Sequence, residues 1–578
     1  MDISEFIKPS MLLPSISPNK DLIAFYYDES GVFELYVYNL KNKVIKKISS
    51  GHVPTNPEYP PCWCTSSNVI YLFNDETSVL YSFDILQLTV QEELSSPYNF
   101  FPIDVNDSGT ILMLMGYVTN RVNLWTFNLI EKKLRQITNS VLPISNGKFM
   151  KGMDGWIIYT ASLNNNHGQG ILIYSLTEER DYLLYSSEKN SSDLFIDFSQ
   201  DNKSIIFNSS GGEYVFPGIL DLESGNVKLF NNLELDLSGV CMSKNFLISV
   251  STNKATSEIV LINIENGELR RPNIPVGVIH WIALTNEEHD LLISMSTVDN
   301  PPKLFNYNLI ENSIVELVEN KNLVINNNRV KKEHIYYESL DGLKIPAIVN
   351  YNSNEVANAP AVLMLHGGPH SQWLMNYNPL VNYLVNLNII VLQLNVRGST
   401  GYGSSFKHAL MKWGSDDVFD VFHGYDYLLK NWKVNKNSIF VLGYSYGAYL
   451  AMKTALQYPS LWKGVINWAG FIDLERMYRT SGARILLEKI SDTNKLEELS
   501  TIKDIKHLET PLLIIHGAKD NHCPIEQAYI LKEELEKYNK IFYYEEFRTL
   551  GHYFYSEFNG LEIYKKIGEF IKERLNEE

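Results

Sequence analysis

Cysteine is scarce in this chain: 578 residues carry four, Cys62, Cys64, Cys241 and Cys523. So few thiols argue against a disulfide framework and point to a reducing compartment, with the cytoplasm as the expected location. Cys62 and Cys64 stand one residue apart, unlike a zinc site, and no metal or organic cofactor is expected. Basic charge is also short: 50 Lys and Arg face 67 Asp and Glu, a net charge of −17. Such a surface repels nucleic acid and anionic membranes, so neither is an expected partner, while a homo-oligomer stays open. No run approaches the roughly 18 uninterrupted apolar residues of a membrane span. The opening residues Met1 to Glu5 lack the basic region of a secretory leader, and none is expected. The first half also lacks sustained helical periodicity.

What it has instead is tyrosine, 35 residues of it, in short apolar runs. Leu22 to Tyr27 leads to Leu35 to Tyr38, and Val69 to Phe73 leads to Leu80 to Phe83. The same pairing recurs at Ile111 and Leu124, Trp156 and Ile171, Ile205 and Gly218, Phe246 and Ile259, and Leu291 and Leu304. That makes seven units spaced by about 41 to 49 residues, the period of a four-stranded propeller blade. A seven-bladed β-propeller over residues 21–322 is expected, rather than a pair of irregular sandwiches. The chain is also too long for one core, so a second domain is required.

The rhythm changes at the polar stretch 326–328, and residues 323–578 form the second domain. A hairpin around Asp341-Gly342 precedes buried-type strands that alternate with helical segments. The strands begin at Ala361, Ile389, Ile439, Val465, Leu512 and Ile541. Continuous apolar strands between helices mean a mostly parallel sheet covered on both faces. With the hairpin the count is eight strands, that of an α/β-hydrolase.

Gly443-Tyr444-Ser445-Tyr446-Gly447 reads G-x-S-x-G, entered by a strand and left by a helix. That context is what a nucleophile needs, because the tight turn lifts the hydroxyl above the sheet. A serine must then find a base, and the base an orienting acid, in the chain order Ser, acid, His. Asp520 follows the strand ending near His516, and of the histidines beyond it His522 is too near in chain to face both partners. His552, after the last strand, is the expected base. The oxyanion donors are expected to be the backbone N–H groups of Tyr446 and Gly368, the latter in His366-Gly367-Gly368-Pro369. His366 itself reads as structural. Trp468 and Phe471 follow the strand after the nucleophile helix and read equally as substrate pocket or core.

These motifs, with Asn395-Val396-Arg397-Gly398-Ser399-Thr400-Gly401-Tyr402-Gly403 and Gly551-His552, resemble the prolyl oligopeptidase family of serine peptidases. Within it, the acylaminoacyl-peptidase branch is the most similar. The resemblance implies a propeller joined to an α/β-hydrolase, a first 20 residues packed on the hydrolase, and cleavage of short peptides. It further implies release of N-acylated amino acids from blocked peptides. A carboxylesterase of the same fold, or a dipeptidyl peptidase holding a free amine with Glu178-Glu179 or Glu287-Glu288, is the alternative. A propeller scaffold with a dead hydrolase is a third reading, opposed by the complete triad. Two positions depart from the family pattern: Ala448 replaces a glycine, and His522 stands where the branch has an arginine that holds the substrate carbonyl. A neutral imidazole offers one donor and no guanidinium fork.

Overall fold

A computed structural model describes residues 2–577 apart from 120, 141–143, 154, 164–167, 188–190, 287–288, 319–329, 354–356, 482–486, 488–494 and 555. It divides the chain into two compact units, Pro9–Lys321 and Met1–Lys8 with Asn322–Glu578. The boundary expected at 322–323 and the stretch 326–328 lie outside the described residues.

The first unit is a seven-bladed propeller. Each blade is a four-stranded antiparallel sheet built from consecutive strands, such as Met11–Ile16, Leu22–Tyr27, Glu34–Asn39 and Val44–Lys47. The innermost strands, Met11–Ile16, Cys62–Trp63, Asn99–Val105, Asn146–Phe149, Asp193–Phe198, Leu237–Met242 and Gly277–Leu284, touch one another in a closed ring. The apolar runs read from the sequence are the second and third strands of every blade. At the meeting of the first and last blades, Met11, Ile23 and Phe25 share a buried cluster with Leu292 and Leu304. The Met11 N–H also donates to Pro302 O at 3.0 Å.

The N-terminal segment expected over residues 1–20 is corrected. Only Met1–Lys8 joins the α/β unit, where Ile3, Phe6 and Ile7 enter its core and Tyr377 donates to Phe6 O at 2.6 Å. Met11–Ile16 is instead the first strand of the first blade, pairing Met11 with Tyr27 and Ile16 with Ile23. A register shift between Leu12 and Ser15, beside Pro14, breaks the alternation that would mark it as a strand.

The second unit holds one eight-stranded sheet: β1 (Val330–Glu338), β2 (Lys344–Asn352), β3 (Ala359–Leu365), β4 (Ile390–Leu394), β5 (Val434–Tyr444), β6 (Gly464–Trp468), β7 (Leu512–Gly517) and β8 (Phe542–Phe547). Its order is β1-β2-β4-β3-β5-β6-β7-β8, antiparallel at β1/β2 and β2/β4 and parallel beyond. Successive residues of β3 serve opposite faces, as a strand's period of two requires. Val362 and Met364 pack with helices α1 (Pro379–Asn386) and α5 (Glu557–Asn576). Ala361 and Leu363 pack with α2 (Asp416–Asn431), α3 (Tyr446–Gln457) and α4 (Glu526–Lys537). Winding reverses at β3, so the loops leaving β3 and β5 part at their carboxyl ends and open a crevice. No described helix is long and apolar enough to cross a membrane.

Candidate active site

Ser445 sits between β5 and α3 with φ 56° and ψ −120°, in a region that costs a side-chain-bearing residue energy. Two glycines make the turn possible. A Cβ on Gly443 would fall 2.0 Å from Gly447 O, and one on Gly447 would fall 2.3 Å from Leu365 O. The Ser445 N–H donates to Trp468 O at 2.9 Å, tying the turn to the end of β6.

His552 Nε2 lies 3.0 Å from Ser445 Oγ, and His552 Nδ1 lies 2.6 Å from Asp520 Oδ2. All three side chains therefore form one hydrogen-bonded line. Asp520 is closely satisfied. Its Oδ1 accepts the N–H groups of His522 at 2.9 Å and Cys523 at 2.7 Å, and its Oδ2 also lies 3.5 Å from His516 Nε2. Burial pushes this carboxyl up, but the bonds from His516 and His552 outweigh it and hold it at about 2. An ionised Asp520 can only accept, so Nδ1 of a neutral His552 carries the proton and Nε2 presents its lone pair to the serine. His516, wholly buried, donates to Cys523 O at 2.7 Å and braces the acid's loop.

Tyr444 donates its phenol to His552 O at 2.6 Å, and its ring lies 5.2 Å from the imidazole. His522, exposed to solvent, lies 5.2 Å from the same imidazole with the two rings tilted at 35°, and Tyr553 stands edge-on to both. Desolvation by the packed rings, and next the neighbouring His552, hold His522 below the ordinary histidine value. Cys523 Sγ lies 3.9 Å from Ser445 Oγ. Burial raises this thiol far above its ordinary value, with Asp520 adding to the effect, and it stays protonated.

The Tyr446 N–H is at the first position of α3, where a helix offers no internal acceptor. Its side chain is buried, and the phenol donates to Asp417. Gly368 has φ 120°, a conformation open to glycine, in the loop after β3. That loop passes beside the nucleophile, since a Cβ on Gly367 would stand 3.1 Å from Ser445 Cβ. His366 bridges Gly367 O at 2.7 Å and Ser399 Oγ at 2.9 Å, and burial holds it at about 4, in keeping with a structural role.

Other sequence-derived candidates fall elsewhere. Trp468 is half-buried, 5.2 Å from the Tyr444 ring and stacked on Phe554. Phe471 as a pocket residue is corrected: it is 2% exposed and lies flat on Tyr449 at 5.2 Å, so it belongs to the core. The glycine-rich stretch around Arg397 is a brace. The guanidinium grips Asp420 and Asp341, with four of its contacts between 2.8 and 3.1 Å. Glu179 pairs with Arg135 and Glu178 accepts from Tyr182, while Glu287 and Glu288 lie outside the described residues. Tyr444, Tyr553 and Asp417 were not picked out from sequence, although Tyr444 sat inside the G-x-S-x-G motif; His516 was read only as the start of the stretch that leads to Asp520. Among the described residues no group of three or more metal-ligating side chains comes together. A cavity of about 340 Å³ lined by Glu333, Tyr351, Asn388, Trp432 and Lys433 lies at the far, amino-terminal ends of β3 to β5. It holds no nucleophile with a base, so chemistry rather than volume selects the Ser445 crevice.

Residues 376–578 match the prolyl oligopeptidase family model. The chain is 27% identical over 315 residues to YuxL, an uncharacterised peptidase of Bacillus subtilis (strain 168), covering 52% of this chain and 47% of that one. It is 25% identical over 317 residues to acylamino-acid-releasing enzyme 2 of Oryza sativa subsp. japonica, covering 48% and 41%. The matches thus span about half or less of these relatives' own lengths. In fold it is similar to Pyrococcus horikoshii acylaminoacyl peptidase, with a TM-score of 0.78, 18% identity, and coverage of 99% of this chain and 97% of that one.

Proposed function

We propose, from the premise that residues 376–578 form a prolyl oligopeptidase family domain, that this chain is a serine peptidase acting through an acyl-enzyme on Ser445. One observation carries the reading: Ser445, His552 and Asp520 stand in hydrogen-bonded line at a strained strand-to-helix turn. As Ser445 Oγ bonds to the substrate carbonyl carbon, its proton passes to His552 Nε2. The ionised Asp520 stabilises the resulting imidazolium through Nδ1–H without taking the proton. Charge gathers on the carbonyl oxygen, and the N–H groups of Tyr446 and Gly368 receive it. The proton on Nε2 then goes to the leaving amine, the C–N bond breaks, and water repeats the sequence to free the acyl group.

The finer reading is release of an N-acylated amino acid from a short blocked peptide. Support comes from relatives named acylamino-acid-releasing enzymes. The four cysteines are unbridged, which fits a reducing compartment such as the cytoplasm.

The test is covalent labelling by a fluorophosphonate, with a panel of acetylated and free-amine aminoacyl anilides. Labelling is expected in the unmodified chain and absent in Ser445→Ala. Acetylated anilides are expected to turn over faster. Labelling that survives Ser445→Ala overturns the nucleophile, and preference for the free amine overturns the acyl reading. His552→Ala is expected to lower kcat by about three orders of magnitude or more.

A further inference from the structure

We infer that Asp417 is a positioning residue for the oxyanion site, acting through the side chain of Tyr446; this rests on the serine peptidase reading. Asp417 is wholly buried at the start of α2. Its Oδ1 accepts the N–H groups of Ser415 at 2.7 Å and Val418 at 3.0 Å, and its Oδ2 accepts the Gly414 N–H at 3.1 Å. Those bonds fix the carboxylate to the backbone of the turn that opens α2. The fourth donor is the Tyr446 phenol.

Tyr446 is thus held at two points with different tasks. Its backbone N–H follows the nucleophile directly, at the unpaired end of α3. Its ring is 1% exposed, edge-on to Trp413 at 4.8 Å and beside Tyr449, and its hydroxyl ends on Asp417. A buried phenol needs a partner, and this one has a charged acceptor locked in place by three backbone donors. Rolling residue 446 to tilt its N–H would drag the hydroxyl off that acceptor. Asp417 therefore resists rotation of the donor at the moment charge develops, which is when preorganisation counts. Glycine at 414, φ 67°, brings this turn so near α3 that a Cβ there would meet the Tyr449 hydroxyl at 2.5 Å. The same turn thus supports both the acceptor and the helix that carries the donor.

The variants are Tyr446→Phe, which removes only the hydroxyl, together with Asp417→Ala and Asp417→Asn. Each is assayed for kcat and KM on a blocked aminoacyl anilide. Each is also titrated with a peptide aldehyde, whose adduct places an oxyanion in the site, and with the matching alcohol, whose complex places none. Tyr446→Phe is expected to lower kcat about tenfold to a hundredfold, with KM within about twofold. Aldehyde affinity is expected to fall by the same factor as kcat/KM while alcohol affinity holds. Asp417→Asn, whose amide oxygen can accept the phenol, is expected to recover part of what Asp417→Ala loses. An unchanged kcat, a loss carried by KM, or aldehyde and alcohol weakening together overturns the inference. If Asp417→Ala does not fold, Tyr446→Phe decides alone. Fluorophosphonate capture separates the two readings. Failure to label the unmodified chain sinks the peptidase assignment, whereas labelling with an indifferent Tyr446→Phe sinks only the role of Asp417.

Discussion

The sulfur of Cys523 stands 3.9 Å from the hydroxyl oxygen of Ser445, in a chain where Asp520 holds both the base and the loop that carries this thiol. The thiol is 1% exposed and is kept protonated by burial. At neutral pH it is expected to resist iodoacetamide, because the thiolate is the reacting form. A small methylthiolating reagent, given time and mild denaturant, is expected to stop turnover by filling the space beside Oγ. Cys523→Ala is expected to keep activity within a few-fold and to lose that sensitivity. Inactivation of Cys523→Ala at the unmodified rate would show that another thiol is responsible.

Asp520 gives the fold a pH signature. Its folded value of about 2 lies below the ordinary 3.8, so the unfolded chain binds the proton more readily. The stability this supplies, about 2 kcal/mol, is complete above pH 3.8 and is lost as pH falls through about 2. The difference in unfolding free energy between the unmodified chain and Asp520→Asn is therefore expected to narrow between pH 4 and 2. A constant difference over that interval would mean that the carboxylate's bonds contribute nothing net.

Arg397 presents the opposite case, a buried cation between acids. Its side chain is 4% exposed and that of Asp420 is 0% exposed. Arg397→Ala strands the Asp420 carboxylate and is expected to cost about 3–5 kcal/mol by denaturant titration. Arg397→Lys is expected to recover little, since one ammonium cannot reproduce the forked contacts to Asp420 and Asp341. A loss below about 1 kcal/mol would show that the brace is dispensable.

Legibility in the sequence followed the physics of each part. The triad residues could be picked out because an elbow serine, an acid after a late strand and a histidine beyond it must occur in that order, and the local punctuation of Gly443, Gly447 and Gly551 was visible. Seven blades could be counted because second and third strands such as Val69–Asn74 and Val79–Asp84 are buried and apolar. First strands were not legible: Met11–Ile16 contains a proline and a register shift, and Leu237–Met242 shifts between Gly239 and Cys241. Fourth strands such as Val44–Lys47 are short and mostly exposed, so no long apolar run marks them. Contacts across 108 residues, as between Tyr444 and His552, leave no local pattern at all. Phe471 shows the converse, an aromatic in a pocket-like position whose surroundings alone reveal it as core.

The seven sheets share no strands, and that has a mechanical consequence. Six of the joints in the ring are spanned by the chain running from one blade into the next. The seventh, where Met11 and Phe25 meet Leu292 and Leu304, is a seam of side chains with the Met11 to Pro302 bond beside it. Under tension or heat, a hoop of this kind parts at its clasp before any link breaks, so the apolar contacts of those four residues set how firmly the propeller holds its circular form.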